Sequence, residues 1–219
     1  MTRISTVIFD LDGTLVRYHG VEFESSWGAV ASAAGVHDRS VALMREYFPR
    51  RDDYDEWVRK EAELYAGIRV STVTDRVLPA PYAAGVVEAV ATLRNRYRLG
   101  ILSSGVDLVA EWVRKDLGFS FAVANRLGIE DGRFTGESET QVELWAKDEA
   151  MKRVAAEHDL PLEEICYVGD HVNDLPVMRL VGLPIAANPK DPEVRDACRH
   201  VIEDFSELPE LIEAFAAGP

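Results

Sequence analysis

Cysteine is scarce in this 219-residue chain: Cys166 and Cys198 are the only two and form no CxxC pair, so neither a zinc site nor a redox dithiol is expected. Cys166 lies in the apolar run Ile165-Cys166-Tyr167-Val168, where a free cysteine serves as a small core residue. Basic charge is also in deficit. Lys and Arg number 24 against 38 Asp and Glu, leaving a formal net charge of −14 and a pI near 4.8. A field of that sign repels nucleic acid and anionic membranes, and neither is expected as a partner. No apolar run reaches the length of a bilayer span and no signal-type region precedes the first strand, so a cytoplasmic protein is expected. Internal repeats and low-complexity tracts are missing. What is present is a 47% hydrophobic chain, enough to pack one domain of ordinary size plus an insertion.

The chain is organised around Val7-Ile8-Phe9-Asp10-Leu11-Asp12-Gly13-Thr14-Leu15. A β-branched run ends in two carboxylates one residue apart and then a glycine, which reads as a buried strand opening into a loop at its carboxyl end. Open α/β sheets place their ligands there. Two ionised carboxylates buried without partners cost several kcal/mol each, so Asp10 and Asp12 need a cation, a proton, or both. A calcium loop fails on spacing, because Gly13 stands fourth and no glutamate stands twelfth.

From Val16 to Leu78 the patterns are helical, with segments expected at Glu24–Ala34, Asp38–Phe48 and Asp53–Ala66, each ended by glycine or proline. Pro79-Ala80-Pro81 marks a linker back to the sheet, and the two linkers are expected to act as hinges. Helix and strand then alternate: helix Ala83–Tyr97, strand Leu99–Ser103, helix Val106–Leu117, strand Phe119–Ala124. Arg126–Gly136 interrupts as a small side hairpin around Asp131-Gly132. The alternation resumes with a helix near Ala146–His158, strand Ile165–Val168, helix Leu175–Val181, strands Leu183–Ala186 and Val201–Ile202, and helix Leu208–Phe215. The tail ending at Gly218-Pro219 is expected to fray. The rhythm predicts an α/β fold, a doubly wound parallel sheet with a small inserted helical domain and a side β-hairpin.

Three later features belong beside Asp10 in such a sheet. Ser103-Ser104-Gly105 ends a strand and starts a helix, offering a hydroxyl and free amides to a phosphate oxygen, although a plain helix cap would use the same residues. Gly169-Asp170-His171-Val172-Asn173-Asp174 is a second strand end carrying acids, and two such ends on one sheet suggest a magnesium site of oxygen ligands. Lys147, on the first turn of its helix, becomes a candidate only in their company.

Taken in order, Asp10-Leu11-Asp12-Gly13-Thr14, Ser103, Lys147 and Gly169 to Asp174 resemble the four motifs of the haloacid dehalogenase superfamily of phosphohydrolases. Ala124-Asn125-Arg126-Leu127, the Asp131-Gly132 turn and Thr135-Gly136 are similar to its phosphoserine phosphatase branch. The resemblance implies a core of residues 1–16 and 79–219 and a helical cap of residues 17–78. It implies Asp10 as nucleophile, forming an aspartyl-phosphate, and Asp12 as general acid and base. Mg2+ would be held by Asp10, the Asp12 backbone carbonyl and Asp170, with Asp174 orienting Lys147 and metal-bound water. Ser103, Ser104, Gly105, Lys147 and Asn173 would meet the phosphoryl group. For the rest of the substrate, Glu22 or Glu24 would stand for the branch's ammonium-binding glutamate. Glu61 falls where the branch has a carboxylate-binding arginine, with Arg59 two residues away. His171 stands where the branch has glycine, either as a loop residue in water or at the site entrance; Ser104 likewise replaces a glycine and would narrow the pocket.

The expected activity is magnesium-dependent hydrolysis of a small phosphomonoester, by a monomer or homodimer. A phosphotransferase or mutase using the same intermediate, and a non-catalytic phosphate-binding or regulatory protein, are the alternatives.

Overall fold

The computed structural model describes residues 3–217, so the expected fraying at Gly218-Pro219 lies outside the described residues. Its strands are β1 (Thr6–Phe9), β2 (Arg98–Val106), β3 (Phe121–Glu130), β4 (Arg133–Glu139), β5 (Ile165–Gly169), β6 (Leu183–Ala187) and β7 (His200–Ile202). They form one sheet in the order β4-β3-β2-β1-β5-β6-β7, parallel throughout except for the β3–β4 pair. The helices are α1 (Ser26–Ala34), α2 (His37–Tyr47), α3 (Tyr54–Glu63), α4 (Val70–Val77), α5 (Val86–Leu93), α6 (Asp107–Leu117), α7 (Lys147–Glu157), α8 (Leu175–Met178), α9 (Pro192–Ala197) and α10 (Leu208–Ala217).

β1 lies in the middle of the sheet and every one of its residues is buried, as expected for a strand covered on both faces. Successive side chains alternate between those faces. Val7 and Phe9 join a core with Ile101, Val168 and residues of α5, α6 and α10. Ile8 joins the opposite core with Tyr167, Ala186 and residues of α7, α8 and α9. The sheet is therefore doubly wound. Phe9 pairs with Ile101 of β2 and Val168 of β5, and the Asp10 amide donates to the Val168 carbonyl at 2.9 Å. The carboxyl ends of three strands thus finish side by side.

Helices α1 to α4 occupy the stretch between β1 and α5. The two connections to this block run side by side: Val16 and Tyr82 form an antiparallel bridge, and the Tyr18 hydroxyl donates to the Val77 carbonyl at 3.1 Å. Helices α4 and α9 were not among the expected elements. Both are short, and α4 is built largely of the β-branched residues Val and Thr, which favour strands.

One expectation is corrected. The strand expected to end at Ser103 continues to Val106, with an irregularity in which β2 advances from Leu102 to Val106 while β3 advances only from Val123 to Asn125. Ser103, Ser104 and Gly105 therefore sit on a bulge inside a strand and not at a helix start. The expected side hairpin is present, with β4 at the edge of the sheet. β3 runs through it as one strand, and its far end is tied to the helical block by Gly67 N–H to the Phe134 carbonyl at 2.8 Å, Phe134 N–H to Ile68 at 3.0 Å and Val70 N–H to Gly132 at 2.9 Å. Tyr65 packs against Phe134, with ring centroids 5.9 Å apart.

Candidate active site

Asp10 follows the last residue of β1 and is 4% exposed. Its Oδ1 lies 3.2 Å from Lys147 Nζ, yet it is buried without a hydrogen bond. Burial raises the Asp10 carboxyl and Asp174 adds to this, against the pull of the Lys147 ammonium. The next turn depends on Gly13, at φ +79, where a Cβ would stand 2.4 Å from Asp170 Oδ2. Glycine is thus required both by the left-handed backbone and by the approach of Asp170. Asp170 accepts from the Thr14 hydroxyl at 2.8 Å. Its carboxyl is pushed well up by burial and by the charges of Asp174 and Asp10.

Asp174 has both oxygens occupied. Oδ1 accepts from Lys147 Nζ at 2.6 Å and from the Tyr167 hydroxyl at 2.7 Å. Oδ2 accepts from the amides of Asp170 at 3.0 Å and His171 at 3.2 Å. Lys147, the first residue of α7, is wholly buried. Burial alone would lower its ammonium, but Asp10 and Asp174 outweigh that and hold it charged. Carboxylate oxygens of Asp10, Asp170 and Asp174 lie within 4.8 Å of one another. Three carboxylates against one ammonium leave an excess of negative charge in a buried site. That excess of oxygen ligands over cations fits a hard dication.

Asp12 points elsewhere. Its Oδ1 accepts from the Ser26 amide at 2.8 Å and its Oδ2 from the Ser26 hydroxyl at 2.7 Å. Burial pushes its carboxyl up to about 7 against those bonds, with the Asp10 charge adding to the rise. The Ser26 hydroxyl in turn accepts from the Val106 amide at 3.0 Å. Gly105 passes between them, where a Cβ would meet Asp12 Oδ2 at 2.5 Å and Ser26 Oγ at 2.6 Å. On the same bulge, Ser103 is buried and its hydroxyl accepts from the Gly105 amide at 3.1 Å. The Ser104 carbonyl receives three donors, Trp27 Nε1 at 2.9 Å, Tyr54 OH at 3.1 Å and Asn125 Nδ2 at 2.9 Å.

The structure thus brings Asp10, Asp12, Ser103, Ser104, Gly105, Asp170 and Asn173 to one cleft, with Lys147 and Asp174 directly beneath Asp10. Glu22 lines the rim of that cleft. Arg59 is a correction. Its side chain is 53% exposed, pairs with Glu63 and Glu56 and does not line the cleft, because it sits on the solvent side of α3. Glu61, on the inner side, does line it. His171 takes the entrance position: its Nδ1 lies 3.0 Å from Asn173 Oδ1 and its ring stands edge-on to Phe23 at 5.8 Å.

Sequence reasoning missed Ser26, Tyr167 and the Trp27–Tyr54–Asn125 set. Ser26 carries a usable signal, since Ser25 caps α1 by accepting from Gly28 N–H at 3.1 Å, and a cap so soon after the first motif points a helix start toward it. The others are buried polar groups whose partners lie far along the chain.

A family model for haloacid dehalogenase-like hydrolases matches residues 7–179. The chain belongs to this family. Within it, this hydrolase is similar to the phosphoserine phosphatase of Methanocaldococcus jannaschii, 29% identical over 196 residues that cover 88% of this chain and 90% of that protein. It is 30% identical to the Saccharomyces cerevisiae phosphoserine phosphatase over 87% of this chain and 60% of that one. Among solved structures, a phospho-aspartyl intermediate analogue of phosphoserine phosphatase superposes with a TM-score of 0.76 at 27% identity, over 95% of this chain and 99% of that one.

Proposed function

We propose that this hydrolase is a magnesium-dependent phosphatase that cleaves a small phosphomonoester through an aspartyl-phosphate on Asp10. One observation carries the reading. Asp10 lines the cleft with its carboxylate against the Lys147 ammonium at 3.2 Å, while Asp12, two residues on, is fastened by Ser26 and has its carboxyl raised to about 7 by burial. One carboxylate is placed to attack and the other to carry a proton. The similarity to a structure that carries a phospho-aspartyl analogue supports the same division of labour.

Asp10, Asp170 and the Asp12 backbone carbonyl would hold the magnesium ion. Bound there, it supplies the positive charge that lets a carboxylate approach a phosphate dianion. The chain's own groups do the rest. Asp10 forms the bond to phosphorus as the ester oxygen departs, and Asp12 delivers its proton to that leaving alkoxide. Asp12, now ionised, takes a proton from the water that attacks the phosphoryl group, releasing inorganic phosphate and restoring Asp10. Lys147, Ser103 and the amides of Ser104 and Gly105 balance charge on the phosphoryl oxygens, with Asn173 at the edge of that set. Asp174, with four protein donors already in place, positions Lys147 and the loop carrying Asp170. Residues 17–78 act as a cap over the cleft, and residues 1–16 with 79–219 as the catalytic core.

The test is phosphate release from a panel of phosphomonoesters, with magnesium and with EDTA, beside an Asp10→Asn control. Magnesium-dependent release abolished in the control is the expected result. Release that survives EDTA or the control substitution would overturn the mechanism.

A further inference from the structure

Helix α3 presents Tyr54, Trp57, Val58 and Glu61 to the cleft, a spacing that puts all four on one helical face. Tyr54 reaches the phosphate end, where its hydroxyl bonds the Ser104 carbonyl. Glu61 stands two turns further along, about 10 Å away at the rise of an α-helix. Between them the wall is aromatic and aliphatic. Trp57 packs edge-on to Tyr54 at 5.9 Å and to Phe48 at 6.5 Å, and Met44 and Val41 line the opposite side.

At the end of this apolar wall Glu61 is 3% exposed. Its Oε1 accepts from the Tyr65 hydroxyl at 2.7 Å; its buried Oε2 makes no hydrogen bond of ordinary geometry and has only the neutral Ser40 hydroxyl beside it. Neutral hydroxyls leave the charge of a buried carboxylate uncompensated, a cost that a cationic ligand donor would recover. The cleft supplies no such donor of its own with a positive charge. Lys190 is the one lysine or arginine among the described cleft-lining residues, and its ammonium is taken by Glu24 Oε2 at 3.2 Å. A substrate carboxylate placed here would meet Glu61 and find no free cation, a like-charge contact that costs several kcal/mol. An ammonium would gain a charge-assisted bond to Glu61 and the faces of the aromatic wall.

We infer that the substrate is the phosphomonoester of an amino alcohol that carries an ammonium and no carboxylate, with an apolar stem long enough to seat the cation against Glu61. The inference rests on the phosphatase reading above and assigns the leaving group that reading leaves open. Phosphoserine, whose carboxylate and ammonium both lie close to the phosphate, suits this cleft poorly.

The experiment compares 5-aminopentyl phosphate, pentyl phosphate, glycerol phosphate and phosphoserine by kcat/KM with the full chain and magnesium, and repeats the set with Glu61→Gln. The expected result is that the aminopentyl ester exceeds the pentyl ester by about tenfold or more, that phosphoserine trails both, and that the amino-to-alkyl ratio collapses toward one in Glu61→Gln. Equal turnover of the amino and alkyl esters, a preference for phosphoserine or glycerol phosphate, or a ratio untouched by Glu61→Gln would overturn the inference. Calorimetric binding of the same esters to the parent chain and to Glu61→Gln separates the two levels of the argument. Selective binding of the aminopentyl ester without turnover would refute the phosphatase reading and uphold the assignment of the cation site. Turnover of every ester without amino selectivity would do the reverse. Should Glu61→Gln fold poorly, the ranking of esters on the parent chain still decides.

Discussion

The two ends of the cleft are built on opposite plans. At the sheet end, nearly every polar atom is already held: Asp174 by four donors, Asp12 by Ser26 at both oxygens, the Ser104 carbonyl by three groups from three elements. At the α3 end, a single carboxylate sits against apolar rings with only the neutral hydroxyls of Tyr65 and Ser40 beside it. The first arrangement sets geometry before the substrate arrives, which is what electrostatic stabilisation of a transition state demands. The second leaves a buried negative charge with no cation of the protein's own beside it. On the function proposed above, chemistry and selection are divided between the sheet and the helical block, and the contrast can be attacked from either side.

The largest effect is expected from Lys147→Met. It strands the buried Asp10 and Asp174 charges, and loss of one partner of a buried pair costs about 3–5 kcal/mol; urea unfolding should show that loss alongside near-complete loss of phosphate release. Next comes Ser26→Ala, which frees Asp12 from the hydroxyl that lowers its pKa. Turnover should fall by roughly ten- to a hundredfold, and the descending limb of the kcat–pH profile should move to higher pH, because the acid keeps its proton longer. An unchanged profile would show that Ser26 only packs.

Metal and pH sharpen the comparison. The folded state raises Asp12 to about 7 and Asp170 well above its usual range. In the metal-free protein the resulting stability is present at acid pH and is lost as pH rises through those raised values. Magnesium should therefore raise Tm more at about pH 8 than at about pH 5, and the opposite order in a thermal scan would contradict the cation site. Glu61 obeys the same sign. Burial raises its carboxyl, against the nearby Ser40 and Tyr65 hydroxyls, so Glu61→Gln should gain Tm over the parent as pH goes from about 5 to about 8. The smallest effect is expected from Arg59→Ala. It removes exposed helix pairs worth at most about 0.5 kcal/mol each, and neither turnover nor unfolding should move appreciably.

How much of this was legible in the sequence follows the range of the interactions. β1, β5 and β6 could be read because buried parallel strands are continuous apolar runs ended by glycine or acids, and the acids of Asp10, Asp12 and Asp170 announced the site. The bulge at Ser103–Gly105 could not, since it is set by Asn125 and by two residues of the helical block reaching for one carbonyl. The role of Tyr167 was hidden for the same reason: in a strand of buried residues, a tyrosine reads as core until its hydroxyl is seen on Asp174. Arg59 and Glu61 differ only in which side of α3 they occupy. A register argument brought both into view, and only the packing of α3 shows which of them faces the cleft.

The stitching of the β3–β4 hairpin to residues 67–70 bears on how a ligand enters and leaves. With that corner fastened to the sheet by backbone hydrogen bonds, the helical block is held to the core beyond its two connections, as it also is where Trp27 and Tyr54 reach the Ser104 carbonyl. Its opposite edge, where Phe23 leans on Phe48 and His171, is held by side-chain contacts instead of backbone hydrogen bonds. Exchange of the Gly67, Val70 and Phe134 amides should then stay slow while substrate passes in and product passes out, and the speed of turnover would be governed by the stiffness of the far edge.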